Sequence, residues 1–166
     1  MPDDQPMDAI ELLRADHRKV DDLFAQFDKA RRSDTKARLV EQICTALKIH
    51  TQIEEEIFYP AIRSKIDDGI VDEGIVEHDG AKMWINDLSK ATPSDCYYDA
   101  KVKVLSEDIK HHVQEEERWL RGMFAQSRRT DVDMDALGEK MAKRKAELEA
   151  KGEKSGLPPA KMASLS

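Results

Sequence analysis

Four segments of this chain repeat apolar residues at alternating steps of three and four, and each apolar face carries one histidine. Steps of three and four follow one side of an α-helix, so the pattern predicts four amphipathic helices that each bury one face. All but one of the 5 histidines lie on these faces. They are His17, His50, His78 and His112.

The first predicted helix opens at Asp8, with Glu11 at the spacing of a capping box. The other three span about residues 35–66, 71–90 and 95–126. Four amphipathic helices with short connections predict an all-α fold, an antiparallel up-down four-helix bundle.

Two details of these helices are open to test. Pro60 lies inside the second helix and should kink or shorten it, because proline has no backbone N–H to donate. The apolar face of the fourth helix is expected to continue through Trp119 and Met123.

The chain changes character after residue 128. Residues 136–151 have the pattern of a weakly amphipathic helix, and residues 152–166 have the composition of a disordered tail. We therefore expect a bundle in residues 1–128, followed by a C-terminal helix and flexible tail in residues 129–166. This extension could dock on the bundle or on a partner protein, and the sequence does not decide between them.

The composition limits what the chain can bind. Its 166 residues are 37% charged, and the formal net charge is −7. Nucleic-acid-binding proteins normally carry a basic face, so we expect no nucleic-acid partner. No apolar run reaches the ~18 residues of a membrane span, and residues 1–17 lack the basic and apolar regions of a secretory leader. These features predict a cytoplasmic protein without a membrane partner.

Two of the apolar faces carry a glutamate one turn after the histidine. Glu54 follows His50 by four residues, and Glu116 follows His112 at the same interval. Residues four apart share one side of a helix, so both side chains can point at one ion, or the glutamate can bridge two ions. A glutamate buried among apolar residues costs roughly several kcal/mol unless it is paired or bound to a metal.

Four histidines with two carboxylates form a donor set that suits metal ions. Imidazole is a good ligand of first-row transition metals, and carboxylate oxygen favours their higher oxidation states. The set exceeds what one tetrahedral zinc ion needs, and it suits two ions with bridging carboxylates and open positions. The candidate metal ligands are His17, His50, Glu54, His78, His112 and Glu116.

The segments that carry these residues resemble the hemerythrin-like, or HHE cation-binding, family. The similarity covers about residues 8–126 and rests on residues 13–17, 50–60, 77–78 and 111–117. The resemblance implies a bundle around two non-haem iron ions with an oxo or hydroxo bridge. It further implies that the four histidines are terminal ligands and that the two glutamates bridge the ions.

Some positions depart from the oxygen-carrying hemerythrins. Lys82 stands where those proteins have a second histidine in the third helix. Glu116 or Glu117 takes the place of an aspartate, and Arg121-Gly122 replaces a phenylalanine-proline pair. One iron ion would therefore have fewer protein ligands and more room for exogenous ones. This argues against simple reversible oxygen carriage and favours peroxide or nitric oxide chemistry, or iron sensing.

Three functions are compatible with the sequence. The first is a di-iron protein that binds O₂, NO or peroxide in sensing, or in iron and oxidative-stress homeostasis. The second is a catalase-like di-iron enzyme that disproportionates hydrogen peroxide. The third is a metal-independent helical interaction protein that works through its C-terminal tail and a partner that the sequence does not identify. The chain has no nucleophile–base triad or phosphate-binding loop that would support a hydrolase or kinase.

Overall fold

The structure is a computed structural model that describes residues 5–165. The expectation of no secretory leader rests on residues 1–17, and residues 1–4 of that segment lie outside the described part. Every regular element in the described part is helical. The elements are α1 (Ala9–Lys29), α2 (Ser33–Ile53), a π-helical turn (Glu54–Phe58), α3 (Tyr59–Ile62), α4 (Asp68–Leu88), α5 (Tyr98–Glu117), α6 (Met123–Arg128) and α7 (Met134–Ser155).

Four long helices, α1, α2, α4 and α5, form the antiparallel bundle that the sequence predicts. Helix α1 packs against α2, α2 against α4, α4 against α5, and α5 against α1, which closes the ring. The capping box at the start of α1 is confirmed, since Glu11 N donates to Asp8 Oδ1 and Asp8 N donates to Glu11 Oε2. Both bonds satisfy backbone donors that the first turn of a helix leaves free.

The buried apolar side chains form two separate clusters, and the predicted histidines lie between them. On α1, for example, Leu13 belongs to one cluster and Val20 to the other, with His17 between them. The histidines of α2 and α4 also lie between the two clusters, whereas α5 belongs to one cluster only and residues of α6 supply the other beyond His112. Two apolar layers therefore enclose one polar layer at mid-height of the bundle.

The second predicted helix is not continuous to residue 66. Helix α2 ends at Ile53, and the widened π-helical turn leads into α3, where Pro60 is in the first turn. In this turn Tyr59 N donates to Glu54 O, five residues back. Proline cannot donate the usual bond to the carbonyl four residues before it, and the widened turn accommodates that break.

The fourth predicted helix ends earlier than the expected residue 126. Helix α5 ends at Glu117, and the chain then folds back so tightly that a Cβ on Gly122 would lie 2.6 Å from Arg118 N and O. The prediction that Trp119 lies in the buried face is therefore wrong, and this side chain is 84% exposed. Met123 is buried as expected, but it opens the separate helix α6.

The C-terminal extension packs on the bundle. Helix α7 lies against α1, α2 and the π-helical turn. Residues 157–164, which we call the strap, run along α4 where a flexible tail was expected. Ala160 exchanges two hydrogen bonds with Asn86, and Ala163 N and Ser164 N donate to Asp79. Composition could not predict this, because the partners of the strap are side chains on a distant helix. The division of the chain at residue 128 stays a prediction.

Within residues 5–165, no helix combines the length and the apolarity that crossing a membrane would require.

Helix α7 approaches the start of α1 closely enough to need a glycine. A Cβ on Gly138 would lie 2.5 Å from Met7 O and 2.8 Å from Ala9 N, both rigid backbone atoms. We expect Gly138→Ala to lower the free energy of unfolding by about 1–3 kcal/mol, measured by urea denaturation.

Gly80→Ala is the matched control for this experiment. Gly80 lies inside α4, and a Cβ there would meet no atom within 4 Å. Alanine should raise the free energy of unfolding there by roughly 0.5–1 kcal/mol, because it is a better helix former than glycine. Equal stability of the two variants would contradict the close approach of α7.

Candidate metal centre

All six candidate ligands meet at mid-height of the bundle, and none is more than 8% exposed. They fall into two overlapping groups in which the ligand atoms lie within 4.8 Å of one another. We call the first group position one: His17, His50, Glu54 and Glu116. We call the second group position two: Glu54, His78, His112 and Glu116.

The two glutamates belong to both positions, and each divides its oxygens between them. Glu54 places Oε1 3.1 Å from His50 Nε2 and Oε2 2.9 Å from His78 Nε2. Glu116 places Oε2 3.1 Å from His17 Nε2 and Oε1 3.1 Å from His112 Nε2. One oxygen of each carboxylate therefore faces each position, which is the arrangement that a bridging carboxylate needs.

Each of the four histidines also meets a second carboxylate through its outer nitrogen, Nδ1. The Nδ1-to-oxygen distances are 3.1 Å for His17 with Glu117, 3.3 Å for His50 with Asp16, 2.9 Å for His78 with Glu55, and 3.1 Å for His112 with Glu77. An Nδ1–H that donates outward leaves the lone pair of Nε2 pointing inward. Such outer carboxylates orient metal-bound histidines and fix their tautomer.

The sequence pattern does not single out these outer carboxylates. Glu55 and Glu117 lie beside the apolar faces of their helices, where a solvated role is the ordinary expectation. His111, the fifth histidine, is mostly exposed and lies 3.4 Å from Glu77. It takes no place among the inner ligand atoms.

The residues present fit a metal pair. His17 Nε2, His50 Nε2, Glu54 Oε1 and Glu116 Oε2 are buried, and none has a hydrogen-bond partner in the described part of the chain. With the single proton of each neutral imidazole on Nδ1, these four atoms of position one are acceptors that face acceptors, which is unfavourable unless a metal ion or a further proton lies between them. Two ligands about 2.1 Å from one metal ion and at right angles lie about 3.0 Å apart, close to the distances observed here.

Tyr59 is a residue of the site that the sequence pattern does not indicate. Its hydroxyl is buried and lies 3.2 Å from His78 Nε2, 3.1 Å from Glu54 Oε2 and 2.9 Å from Glu116 Oε1, so its one proton is shared between the two carboxylates. Gly74 makes room for it, since a Cβ there would lie 3.1 Å from the hydroxyl oxygen. The phenol therefore lies among the atoms of position two, beside the Glu54 and Glu116 oxygens that face it.

A small enclosed cavity of about 10 Å³ adjoins the four histidines. This is roughly the space of one water molecule. The apolar residues Ile109 and Val113 line it, and both also line a groove of about 310 Å³ on the surface between α1 and α5. These two side chains therefore lie between the surface groove and the metal positions.

The charges of the site shift its pKa values strongly. Burial lowers the pKa of His50, but the carboxylates of Glu54 and Asp16 outweigh burial and raise its pKa to about 10. Burial and the charge of Glu54 raise the pKa of Glu116, but the histidines beside it, His112 above all, bring its pKa down to about 2. Without a metal ion, protonated histidines therefore balance the buried carboxylates.

This balance predicts a pH optimum for the metal-free protein. The pKa of His50 is about 10 in the folded chain and 6.5 ordinarily, so its contribution is complete below about pH 6.5 and is lost toward pH 10. The lowered pKa of Glu116 contributes above about pH 4.5 and is lost as the pH falls toward 2. We expect chelator-treated protein to melt at a lower temperature at about pH 9 than at about pH 6. A higher melting temperature at the alkaline pH would contradict these charge states.

Known proteins resemble this chain in sequence and in fold. The Hemerythrin HHE cation binding domain family matches residues 8–124. A hemerythrin HHE cation binding domain-containing protein from Mycobacterium kansasii superimposes with a TM-score of 0.75 over 91% of this chain and 95% of that one, at 23% identity. This second likeness shows the fold.

A curated relative is a DNA nickase from Nostoc sp., which is 29% identical over 118 residues. The match covers 71% of this chain and 34% of the nickase, so the chain spans about a third of that protein. The family match covers most of the present chain and all six inner residues of the site. This chain therefore belongs to the hemerythrin HHE cation-binding family.

Proposed function

We propose that the protein holds two iron ions at positions one and two and binds O₂, NO or peroxide beside them. Glu54 and Glu116 would bridge the ions, and the four histidines would be terminal ligands. The observation that carries this proposal is the buried carboxylate pair, whose oxygens are divided between two sets of histidine nitrogens. Two anionic groups at the centre of a protein need positive charge beside them, and each set of nitrogens offers a place for one metal ion.

The donor set favours iron among the transition metals. Each position offers two imidazole nitrogens and two carboxylate oxygens, with no thiolate. Such mixed nitrogen and oxygen sites, with bridging glutamates between the helices of a bundle, are typical of di-iron proteins. Four inner ligands per ion also leave coordination positions free, and the Tyr59 hydroxyl lies where a further ligand of position two would bind.

The size of the cavity restricts the exogenous ligand. A space of about 10 Å³ next to the histidines holds roughly one water molecule, so it favours a very small ligand over an organic substrate. Iron supplies the redox equivalents and the open coordination positions. The Nδ1–H groups of the four histidines would donate to the outer carboxylates, and the Tyr59 hydroxyl lies at the Glu54 and Glu116 oxygens of position two. Apolar side chains beside the cavity keep bulk water out.

A catalase-like enzyme is the second candidate, and one observation favours it. The cavity touches histidines of both positions, so a peroxide molecule there would lie within reach of two ions at once. Disproportionation converts two molecules of hydrogen peroxide into one of O₂ and two of water, and it requires two electrons to be taken up and returned. Two neighbouring ions can share those electrons.

The nickase activity of the Nostoc protein is not part of this proposal. That relative is about three times longer than the matched segment, and the present chain has a net charge of −7. An acidic chain is a poor ligand for phosphate groups, so we keep the expectation of no nucleic-acid partner.

Removing one bridge tests the metal proposal. We expect the parent protein, purified from iron-supplemented cells, to contain about two irons per chain. Glu54→Ala should bind at most one, because Glu54 serves both positions. Glu115→Ala is the control, since this glutamate lies on α5 with its nearest charged partner, Arg118, at 3.8 Å. A folded parent protein that contains no metal after purification from iron-supplemented cells, or that contains only zinc, would overturn the proposal.

The same preparation separates the two candidate functions. Oxygen released from hydrogen peroxide by the iron-loaded parent, and lost in Glu54→Ala, would identify the enzyme. A spectrum that changes on adding azide or NO, with peroxide left unconsumed, would identify the ligand-binding protein.

A larger side chain between the surface groove and the cavity tests the route of ligand entry. Val113 lines both the groove and the cavity, whereas Gln114 lines the groove alone. We expect Val113→Phe to slow azide binding to the iron-loaded protein about tenfold or more by stopped-flow spectroscopy, with unchanged iron content. Gln114→Phe should bind azide at the parent rate. Equal rates in all three proteins would place the route elsewhere.

A further inference from the structure

The carboxylates that hold the outer nitrogens of the four histidines are not equivalent. Asp16 and Glu55 each accept a hydrogen bond from a lysine, whereas Glu117 and Glu77 accept none from a lysine or arginine among the described residues. The two lysine-bound carboxylates belong to different metal positions, because Asp16 holds His50 and Glu55 holds His78.

The lysine on Asp16 comes from α7, outside the part of the chain that matches the family. Lys145 Nζ donates to Asp16 Oδ1 at 2.5 Å, while the other oxygen of Asp16 accepts from His50. One chain of contacts therefore runs from α7 through Lys145 and Asp16 to His50 at position one.

The lysine on Glu55 is held by the strap. Lys82 is only 2% exposed, and its ammonium group donates to both oxygens of Glu55, at 2.7 and 2.8 Å, and to Lys161 O at 2.8 Å. Asp79 lies 3.5 Å from the same group. A buried ammonium group requires several acceptors, and the strap supplies one of them. A second chain of contacts thus runs from the strap through Lys82 and Glu55 to His78 at position two.

We propose that the C-terminal extension is a positioning element of the metal centre: α7 and the strap secure one histidine at each position through Lys145–Asp16 and Lys82–Glu55. This inference rests on the proposed metal site and assigns a role to residues outside the family match. Each lysine holds the carboxylate in place, and the carboxylate holds the imidazole ring in place. The Nε2 atom of the ring would then face its metal position in one fixed orientation.

Loss of a residue that hydrogen-bonds a metal-binding histidine typically weakens metal binding about 10–100-fold. These lysines contact such residues, Asp16 and Glu55, and do not contact the histidines themselves. We therefore expect Lys145→Met and Lys82→Met each to speed metal release about tenfold at one position only. The measurement is the time course of ferrous iron transfer from the loaded full-length protein to a coloured chelator. Each variant should show one fast and one parent-like phase, and the double variant should show two fast phases.

Arg144→Met is the matched control for Lys145→Met. Arg144 is the neighbouring residue on α7 and pairs with Glu56, which contacts no histidine among the described residues. Its removal should leave both phases unchanged. Lys145→Arg should restore slow release, because a guanidinium group also binds a carboxylate.

Two further variants distinguish positioning from general destabilisation. In an Asp16→Ala background, Lys145→Met should have no added effect on release, since the link to His50 is already lost. Asn86→Ala loosens the strap without touching Lys82, and it should speed the same phase as Lys82→Met, which covers the case that Lys82→Met fails to fold.

The outcomes separate the two proposals. A parent protein that does not hold two ions overturns the metal site itself. A parent that holds two ions, with Lys145→Met, Lys82→Met and Asn86→Ala releasing both at the parent rate, overturns only the role of the extension. Acceleration by Arg144→Met equal to that by Lys145→Met would also overturn it.

Discussion

Two carboxylates buried side by side are the constraint on which the rest of the structure depends. Glu54 and Glu116 are 0% and 1% exposed, and each faces histidine nitrogens on two sides. Buried like charges are tolerated only with positive charge close by, whether protons on histidines or metal ions. Each of the four long helices contributes one histidine to that balance, so the site exists only when all four helices are in place.

The apolar core is arranged around this polar layer. One cluster of buried side chains lies on each side of it, so the stabilisation from hydrophobic burial comes from above and below the site. Phe124, from the short helix α6, stacks on the ring of His17 at 5.7 Å. The clusters keep the rings in register and leave room beside them for only a very small molecule.

Outward from the metal positions, the polar contacts form successive shells. The four inner histidines contact outer carboxylates, and two of those carboxylates accept hydrogen bonds from lysines, one on α7 and one that also contacts the strap. The C-terminal extension therefore contacts the bundle through these polar groups beside the histidines as well as by apolar packing.

The sequence by itself determined the four helices, the apolar face of each, and the histidines and glutamates that those faces carry, because a helical period reports which local residues share a side. Only the tertiary structure decided the partners across helices, such as Asp16 for His50. It also decided the place of Tyr59, which an ordinary helix would put about 140° around from Glu54, whereas the π-helical turn brings both to one side. Trp119 lies outside the core for a similar reason, because the tight turn at Gly122 follows the end of α5 at Glu117. Periodicity carries no information on such contacts, which depend on how helices pack and where the backbone departs from the regular helix.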